Sequence, residues 1–432
     1  MTSTATDILG ELEARGLIHA TTDRDVLAKR LALGPIGLYH GCDPTADSLH
    51  VGNLIGLLVL RRFQDAGHRV VALAGGATGM VGDPSGRSEE RNLLDEATLD
   101  ANVQAIKAQI ARIIDLDDDR ASLVDNRDWT VDLSLLDFLR DVGKHVTINQ
   151  MVARESVKAR MASEQGISFT EFSYMLLQAH DYLWLYSHHD VELQIGGSDQ
   201  WGNILSGIDL IRRVRGKAAH GLCWPLLTDP GGAKLGKSTG GRVWLDPEKT
   251  SPYAFYQHWI QTDDDDVHGY LGWFTLLPVE EIEAIVAEHR AAPERRTAQR
   301  VLAREVTRLV HGAAAATAAE QASALLFGGS VTDVGPDAFE LLAREVPTVE
   351  VPGDTVRDGA IELFDLLVRS GLASSRSDAR RNLEAGAVYV NGERVVEGYE
   401  LRTSDLQHGR YLLVRKGKKS YALLVASGDA TR

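Results

Sequence analysis

The sequence predicts an α/β protein with a parallel sheet, followed by a helical region and a small α+β module. Three observations lead to that class. Ile36–Tyr39 and Val70–Ala74 are short apolar runs with a helical pattern between them, from about Gly52 through Leu54-Ile55-Gly56-Leu57-Leu58-Val59-Leu60 to Ala66. Strand, turn, helix and strand in under 40 residues make a βαβ unit, whose strands pair in parallel. Ala291–Ala324 is Ala-rich, the composition with the strongest helix propensity. Near the end, a helical stretch carrying Arg376, Arg380 and Arg381 precedes two strand-like runs joined at Asn391-Gly392, a preferred pair for a type I′ hairpin turn.

Length and composition bound the rest. With 432 residues, 44% hydrophobic and 25% charged, the chain reads as a soluble globular protein of two to four domains. No apolar run is long enough to span a bilayer, and the first residues lack the basic and apolar regions of a signal peptide. The two cysteines, Cys42 and Cys223, are far apart in apolar contexts, which speaks against a disulfide framework or a zinc site and fits a reducing cytoplasm. A net charge of −15 argues against general polyanion binding by the whole chain. From Arg357 to Lys419, however, twelve basic residues against nine acidic ones leave a local +3.

Taken in order, residues 7–33 read as amphipathic helices, carried by Ile8, Leu9, Leu12, Leu17 and Ile18, then Val26, Leu27, Leu31 and Leu33. The first strand ends at the polar turn Asp43-Pro44-Thr45-Ala46-Asp47. The loop to Asn53 lies between a strand and its helix, where open α/β sheets bind ligands and a helix N-terminus offers N–H groups to phosphate. His50 and Asn53, three apart, point to one side, and Gly52 admits a flat ligand close to the backbone. A loop capped by Ser48, with a surface histidine, accounts for these residues equally well.

The second strand runs into GGATGMVGDPSGR, residues 75–87. Its spacing is not that of a dinucleotide fingerprint. Asp83 there suits an ammonium group, and Arg87 and Arg91 suit phosphate oxygens, although a plain flexible loop is the commoner meaning of such a stretch. In FSYMLLQAHDYLWLY, Tyr174, Gln178 and Asp181 fall at i, i+4 and i+7 on one helix face. They form either a grip on a polar substrate or, more commonly, a solvated stripe. A strand at Val191–Ile195 then leads into Gly196-Gly197-Ser198-Asp199-Gln200, another loop at a strand end.

GGAKLGKS, residues 231–238, satisfies the phosphate-binding pattern G-x-x-x-x-G-K-[ST] at every position. Its context does not. A P-loop follows an apolar strand and opens a helix, whereas this stretch follows Pro225 and Pro230 and precedes Thr239-Gly240-Gly241. Val243–Asp246 then reads as a strand ending at Pro247. What remains is a glycine-flanked loop carrying Lys234, Lys237 and Ser238.

Together these motifs resemble a family. DPTADSLHVGN resembles the HIGH signature of class I aminoacyl-tRNA synthetases and KLGKS their KMSKS signature. GGATGMVGDPSG, FTEFSYMLLQAHDYLWLY and LQIGGSDQWGN, in the same order, resemble the bacterial tyrosyl-tRNA synthetases. SRSDARRNLEAGAVYVNGERV looks like an S4 RNA-binding module. The resemblance spans essentially the whole chain. It implies a Rossmann-like parallel-sheet catalytic domain over 1–228 with a connective insertion at about 130–190, and a KMSKS-type loop over 229–245. An α-helical domain on the anticodon side of the tRNA would follow over 246–335, and an S4-like domain over 357–425. Between them, Gly335, Pro336, Pro347, Pro352 and Gly353 with several acids read by composition as a linker over 336–356.

The resemblance further implies ATP, with Mg²⁺, L-tyrosine and tRNA(Tyr) as substrates, a homodimer, and no membrane partner. His50, Asn53, Lys234, Lys237, Ser238, Arg87 and Arg91 would carry the chemistry at the phosphates. Tyr39, Asp83, Tyr174, Gln178, Asp181 and Gln200 would hold tyrosine, with Tyr39 and Asp181 at the phenol. Gly41, Asp43, Thr45, Gly52, Gly197, Asp199 and Lys237 would line the ATP region, and Arg376, Arg380 and Arg381 would meet RNA. Two departures stand out. Asn53 replaces the second signature histidine, so it donates a hydrogen bond but carries no charge. Gly236 in KLGKS gives its loop more freedom.

Overall fold

Val70, Val71, Ala72, Leu73 and Ala74 are all buried, without the alternation of a half-exposed strand. That pattern belongs to a strand covered on both faces, as in parallel sheets flanked by helices. The computed structural model describes residues 7–85, 94–162, 166–226, 242–352 and 362–427. They fall into two units, one of Met1–Asp246 with Thr262–Ala298, the other of Pro247–Gln261 with Gln299–Arg432. Among the described residues no helix is long and apolar enough to cross a membrane.

The first unit holds a six-stranded sheet of β1 (Ala20–Thr21), β2 (Gly37–Cys42), β3 (Arg69–Ala74), β4 (Ala121–Asp125), β5 (Val191–Gly197) and β6 (His220–Trp224), in the order β1-β6-β5-β2-β3-β4. All pairs are parallel except the edge pair β1–β6. The helix Val51–Asp65 joins β2 to β3 as the expected βαβ crossover. From β2 the chain builds outward through β3 and β4, then returns to the other side of β2 with β5 and β6. The order therefore reverses between β2 and β5, and a crevice opens there beyond the strands' carboxyl ends. The strand expected at Val243–Asp246 is reduced to one antiparallel bridge, Trp244 with His50. That bridge ties the chain entering from residue 242 to the start of the helix Val51–Asp65.

The second unit holds a five-stranded sheet of β7 (Thr348–Pro352), β8 (Val388–Val390), β9 (Glu393–Arg394), β10 (Tyr411–Lys416) and β11 (Ser420–Ser427), ordered β7-β11-β10-β8-β9. Asn391 and Gly392 turn β8 into β9 with φ of 51° and 88°, the positive angles of a type I′ turn. Side chains of β10 and β11 alternate between two cores. Leu412, Val414, Ala422 and Leu424 pack with Leu366 and Leu383. Tyr411, Leu413, Tyr421 and Leu423 pack with Leu325, Phe339 and Leu342.

Two boundaries differ from expectation. The stretch 262–298 groups with the first unit rather than with one helical domain over 246–335. The expected linker over 336–356 instead contains the helix Pro336–Glu345 and the edge strand β7. Pro336 occupies the first helical turn after Gly335, and Pro352 ends a strand paired on one side only. The Pro and Gly residues that read as a linker are the punctuation of these two elements.

Candidate active site

A pocket of about 320 Å³ opens at the β2–β5 reversal. It gathers every site residue expected in the first unit that the structure describes. Tyr39 and Gly41 come from β2, and Asp43, Thr45, His50, Gly52 and Asn53 from the loop and helix start that follow. Asp83 comes from the Gly-rich loop, Tyr174, Gln178 and Asp181 from the helix Phe169–His188, and Gly197, Asp199 and Gln200 from the end of β5. Arg87, Arg91, Lys234, Lys237 and Ser238 lie outside the described residues. Arg242, at the far side of that last gap, also lines the pocket.

At one end the helix stripe turns inward. Tyr174 and Asp181 are 5% and 3% exposed, so the stripe is not the solvated one that helical spacing alone favours. Asp181 accepts from Asn126 Nδ2 at 2.9 Å and from Trp129 Nε1 at 2.8 Å. Burial pushes its carboxyl up to about 7 against the pull of those two bonds. The neighbouring Tyr39 hydroxyl is buried and finds no hydrogen-bond partner among the described residues. Burial, then the Asp181 charge, raises its phenol well above the usual range. A buried hydroxyl left alone costs stability on the order of 1–3 kcal/mol, which points to a ligand partner.

Further along, Asp83 accepts from Gln200 Nε2 at 2.6 Å and from the backbone N–H of Ser85 at 2.9 Å. Asn203 Nδ2 reaches Gln178 Oε1 at 3.0 Å and Gln200 Oε1 at 3.2 Å, orienting both amides. Asp43 accepts from Tyr174 at 2.9 Å and from Thr78 at 2.7 Å. Asn126 closes the chain by donating to Thr78 Oγ1 at 3.0 Å. A Cβ at position 75 would lie 2.3 Å from Asp43 Oδ1 and 2.4 Å from Thr78 Oγ1, so a larger residue would displace this hydrogen-bonded pair. Asp83 and Asp181 thus lie buried and Asp43 half-buried near one end, an environment that attracts a cation.

At the other end the helix Val51–Asp65 begins. His50 Nδ1 accepts the Gly52 N–H at 3.0 Å, so the ring proton of the neutral imidazole sits on Nε2. Asn53 Oδ1 accepts the His50 N–H at 3.1 Å, a reciprocal cap that directs the amide's donor nitrogen elsewhere. The Asn53 substitution therefore keeps the helix start intact while supplying an uncharged donor. Val51 N–H donates to Val243 O at 3.0 Å, and Leu245 N–H to Leu49 O at 2.8 Å, so the segment from residue 242 is pinned beside His50.

Sequence reasoning missed Asn126, Trp129, Thr78 and Asn203, which orient the expected residues. One signal was present. Asn126 immediately follows β4, at the carboxyl end of a parallel strand, where ligand-facing residues collect. The C-terminal arginines are exposed on the helix Arg376–Glu384, each beside an acid: Arg376 with Asp365 and Glu362, Arg380 with Glu397, and Arg381 with Asp378.

Residues 32–328 match the family of class I tRNA synthetases (W and Y), and residues 339–424 match the tyrosine–tRNA ligase SYY-like C-terminal domain. The chain is 50% identical to the tyrosine–tRNA ligase of Roseiflexus castenholzii over 97% of this chain and 99% of that protein. It is 49% identical to that of Geobacillus stearothermophilus at the same coverages. Among solved structures, the C-terminally truncated mitochondrial tyrosyl-tRNA synthetase of Aspergillus nidulans superposes with a TM-score of 0.68 at 35% identity, over 74% of this chain and 94% of that one. On a family match over most of its length, and near 50% identity to relatives that it covers almost in full, the chain belongs to the class I tRNA synthetases, in the tyrosine–tRNA ligase branch.

Proposed function

We propose that the chain attaches L-tyrosine to tRNA(Tyr) in two steps. The tyrosine carboxylate attacks the α-phosphorus of ATP, and the bond to the bridging oxygen breaks, releasing pyrophosphate. A hydroxyl of the tRNA 3′-terminal ribose then attacks the activated carbonyl and AMP leaves. One observation carries the substrate assignment: the partnerless Tyr39 hydroxyl beside the Asp181 carboxyl at the buried end of the pocket. A phenol has both the donor and the acceptor that this pair needs, whereas an indole has a donor alone.

Asp83, with Tyr174 and Gln178 close by, suits the tyrosine ammonium group. Gln200 is the amide that already bonds Asp83. His50 and Asn53 suit the phosphates, at a helix start whose dipole favours negative charge. Gly41, Asp43, Thr45, Gly52, Gly197 and Asp199 line the region left for the nucleotide. Because the attacking carboxylate is already anionic, no general base is required. Catalysis then rests on positioning and on stabilising charge on the departing pyrophosphate. Lys234, Lys237, Ser238, Arg87 and Arg91 supply that charge in this reading. Magnesium enters with ATP. Mg²⁺ bound with a nucleotide takes substrate phosphate oxygens as ligands, so the polyphosphate would provide them.

A homodimer in the cytoplasm belongs to the same reading. Among the described residues, seven of the fourteen exposed large apolar residues fall between Val131 and Phe169, among them Leu135, Leu136, Ile148 and Phe169 at 61–79% exposure. A second copy is the cover proposed for them. Arg376, Arg380 and Arg381 remain proposed RNA contacts. Their exposed ion pairs are weak enough to exchange for phosphate.

Tyrosine-dependent exchange of pyrophosphate into ATP tests the activity. Exchange with tyrosine and not with tryptophan or phenylalanine is expected. Exchange with tryptophan alone would overturn the assignment.

A further inference from the structure

The helix Thr297–His311 shows two opposed faces. Leu302, Ala303, Val306 and Val310 are 0–4% exposed, which fixes its rotation. Arg300, Arg304 and Arg308, at i, i+4 and i+8, are all exposed on the other face. We propose that this arginine row grips the sugar–phosphate backbone of the tRNA. The inference rests on the tRNA ligase reading above and adds a docking surface to it.

Three features favour RNA phosphates. Successive arginines are about 6 Å apart along the helix axis, on the order of one nucleotide repeat. The guanidinium fork matches phosphate oxygens two at a time. The row is also poorly neutralised: Glu305 alone pairs with Arg308 at 2.7 Å and with Arg304 at 3.5 Å, and no acid pairs with Arg300 among the described residues. Glu320 of the helix Ala313–Leu326 acts on the Tyr256 phenol together with Arg300 and Arg304, so it shares their neighbourhood without an ion pair to either among the described residues. By contrast, Arg376 of the C-terminal module already contacts two carboxylates. In a chain of net charge −15, an exposed row of three arginines with one ion-paired acid complements a polyanion.

The test is the full-length triple variant Arg300→Gln, Arg304→Gln, Arg308→Gln, with the corresponding triple Lys variant beside it. In the Gln variant, tyrosine-dependent pyrophosphate exchange and melting temperature should match wild type. Its KM for tRNA should rise roughly tenfold near 0.1 M salt, and the slope of log affinity against log salt should flatten by about 2–3. The Lys variant should recover that slope. Unchanged KM and slope in the Gln variant would overturn the proposal. Loss of exchange in wild type would instead strike the activity reading, while direct tRNA binding against salt still judges the arginine row.

Discussion

The side-chain amide of Asn126 donates to Asp181 Oδ2 at 2.9 Å, and neither residue is exposed beyond 3%. Its second N–H reaches Thr78, which in turn donates to Asp43. One amide therefore joins the buried Tyr39–Asp181 end of the pocket to the loop that follows β2. Asn126→Ala removes a bond that lowers the Asp181 pKa and frees the Thr78 hydroxyl to turn. The KM for tyrosine in pyrophosphate exchange should rise about tenfold, with a stability loss of about 1–3 kcal/mol. A purely structural role would lower stability and leave that KM unchanged.

Asp181 also sets a pH dependence. An aspartate in the unfolded chain titrates near 4, whereas burial raises Asp181 to about 7 in the fold. Between those values the folded chain keeps a proton that the unfolded chain has released. Stability from this group is therefore greatest at low pH, falls as pH rises through the window, and is flat above it. The full span is at most about 4 kcal/mol. Asp181→Asn cannot ionise, so its melting temperature relative to wild type should climb from about pH 5 to about pH 8. Calorimetry without ligands across that range checks it; a constant difference would mean that Asp181 titrates normally.

Tyr39→Phe should trade function for stability. It deletes the buried hydroxyl that has no partner among the described residues and leaves the ring against Tyr182, 5.4 Å between centroids. Removing such a group should stabilise the chain by about 1 kcal/mol or more. The tyrosine KM should rise, and discrimination against phenylalanine should narrow. Thermal melting and paired exchange assays read the two effects. A lower melting temperature would mean that the hydroxyl is satisfied in the free protein.

A second tight contact lies at the pocket wall, which His40 and Trp224 both line. A Cβ on Gly56 would sit 2.2 Å from His40 Nε2. The ring is held by Ile195 O at 3.4 Å and packs edge-on to Trp224. Burial lowers its pKa to about 4, so it is neutral at ordinary pH. Gly56→Ala improves helix propensity by about 1 kcal/mol, yet it should destabilise overall by about 1–3 kcal/mol through overpacking. His40→Ala in the same chain should restore most of the loss, giving a positive coupling in a double-mutant cycle. Additive effects would show that the imidazole moves aside freely.

Apolar runs made β2, β3 and β5 legible, and the rule that ligands gather at parallel strand ends made their loops legible too. Burial of Tyr174 and Asp181, with Gln178 half-buried between them, was not legible, because helical periodicity places residues on a face without saying what covers it. Asn126 and Trp129 sit in VDNRDWT, a mixed stretch with no period. Their meaning comes from Asp181, more than 50 residues away. The helix Pro336–Glu345 was hidden for another reason. Its prolines and glycines begin and end elements, and composition alone cannot separate such punctuation from a linker.

That helix decides where the chain can be cut. Phe339 and Leu342 are 0% exposed and share a core with Leu413, Leu423 and Val425 of β10 and β11. A truncation after Pro352 removes those strands and bares the helix's apolar face. One after Gly335 removes helix and sheet together, leaving mainly Ala322 and Leu325 uncovered. Burial at about 25 cal/mol per Å² makes each large exposed side chain a penalty of about 1.5–3 kcal/mol. The longer fragment should therefore bind a hydrophobic dye more strongly and aggregate at lower temperature than the shorter one. Both should retain tyrosine-dependent pyrophosphate exchange where soluble, and both should charge tRNA poorly. Equal dye binding by the two fragments would show that Pro336–Glu345 does not depend on the sheet for its cover.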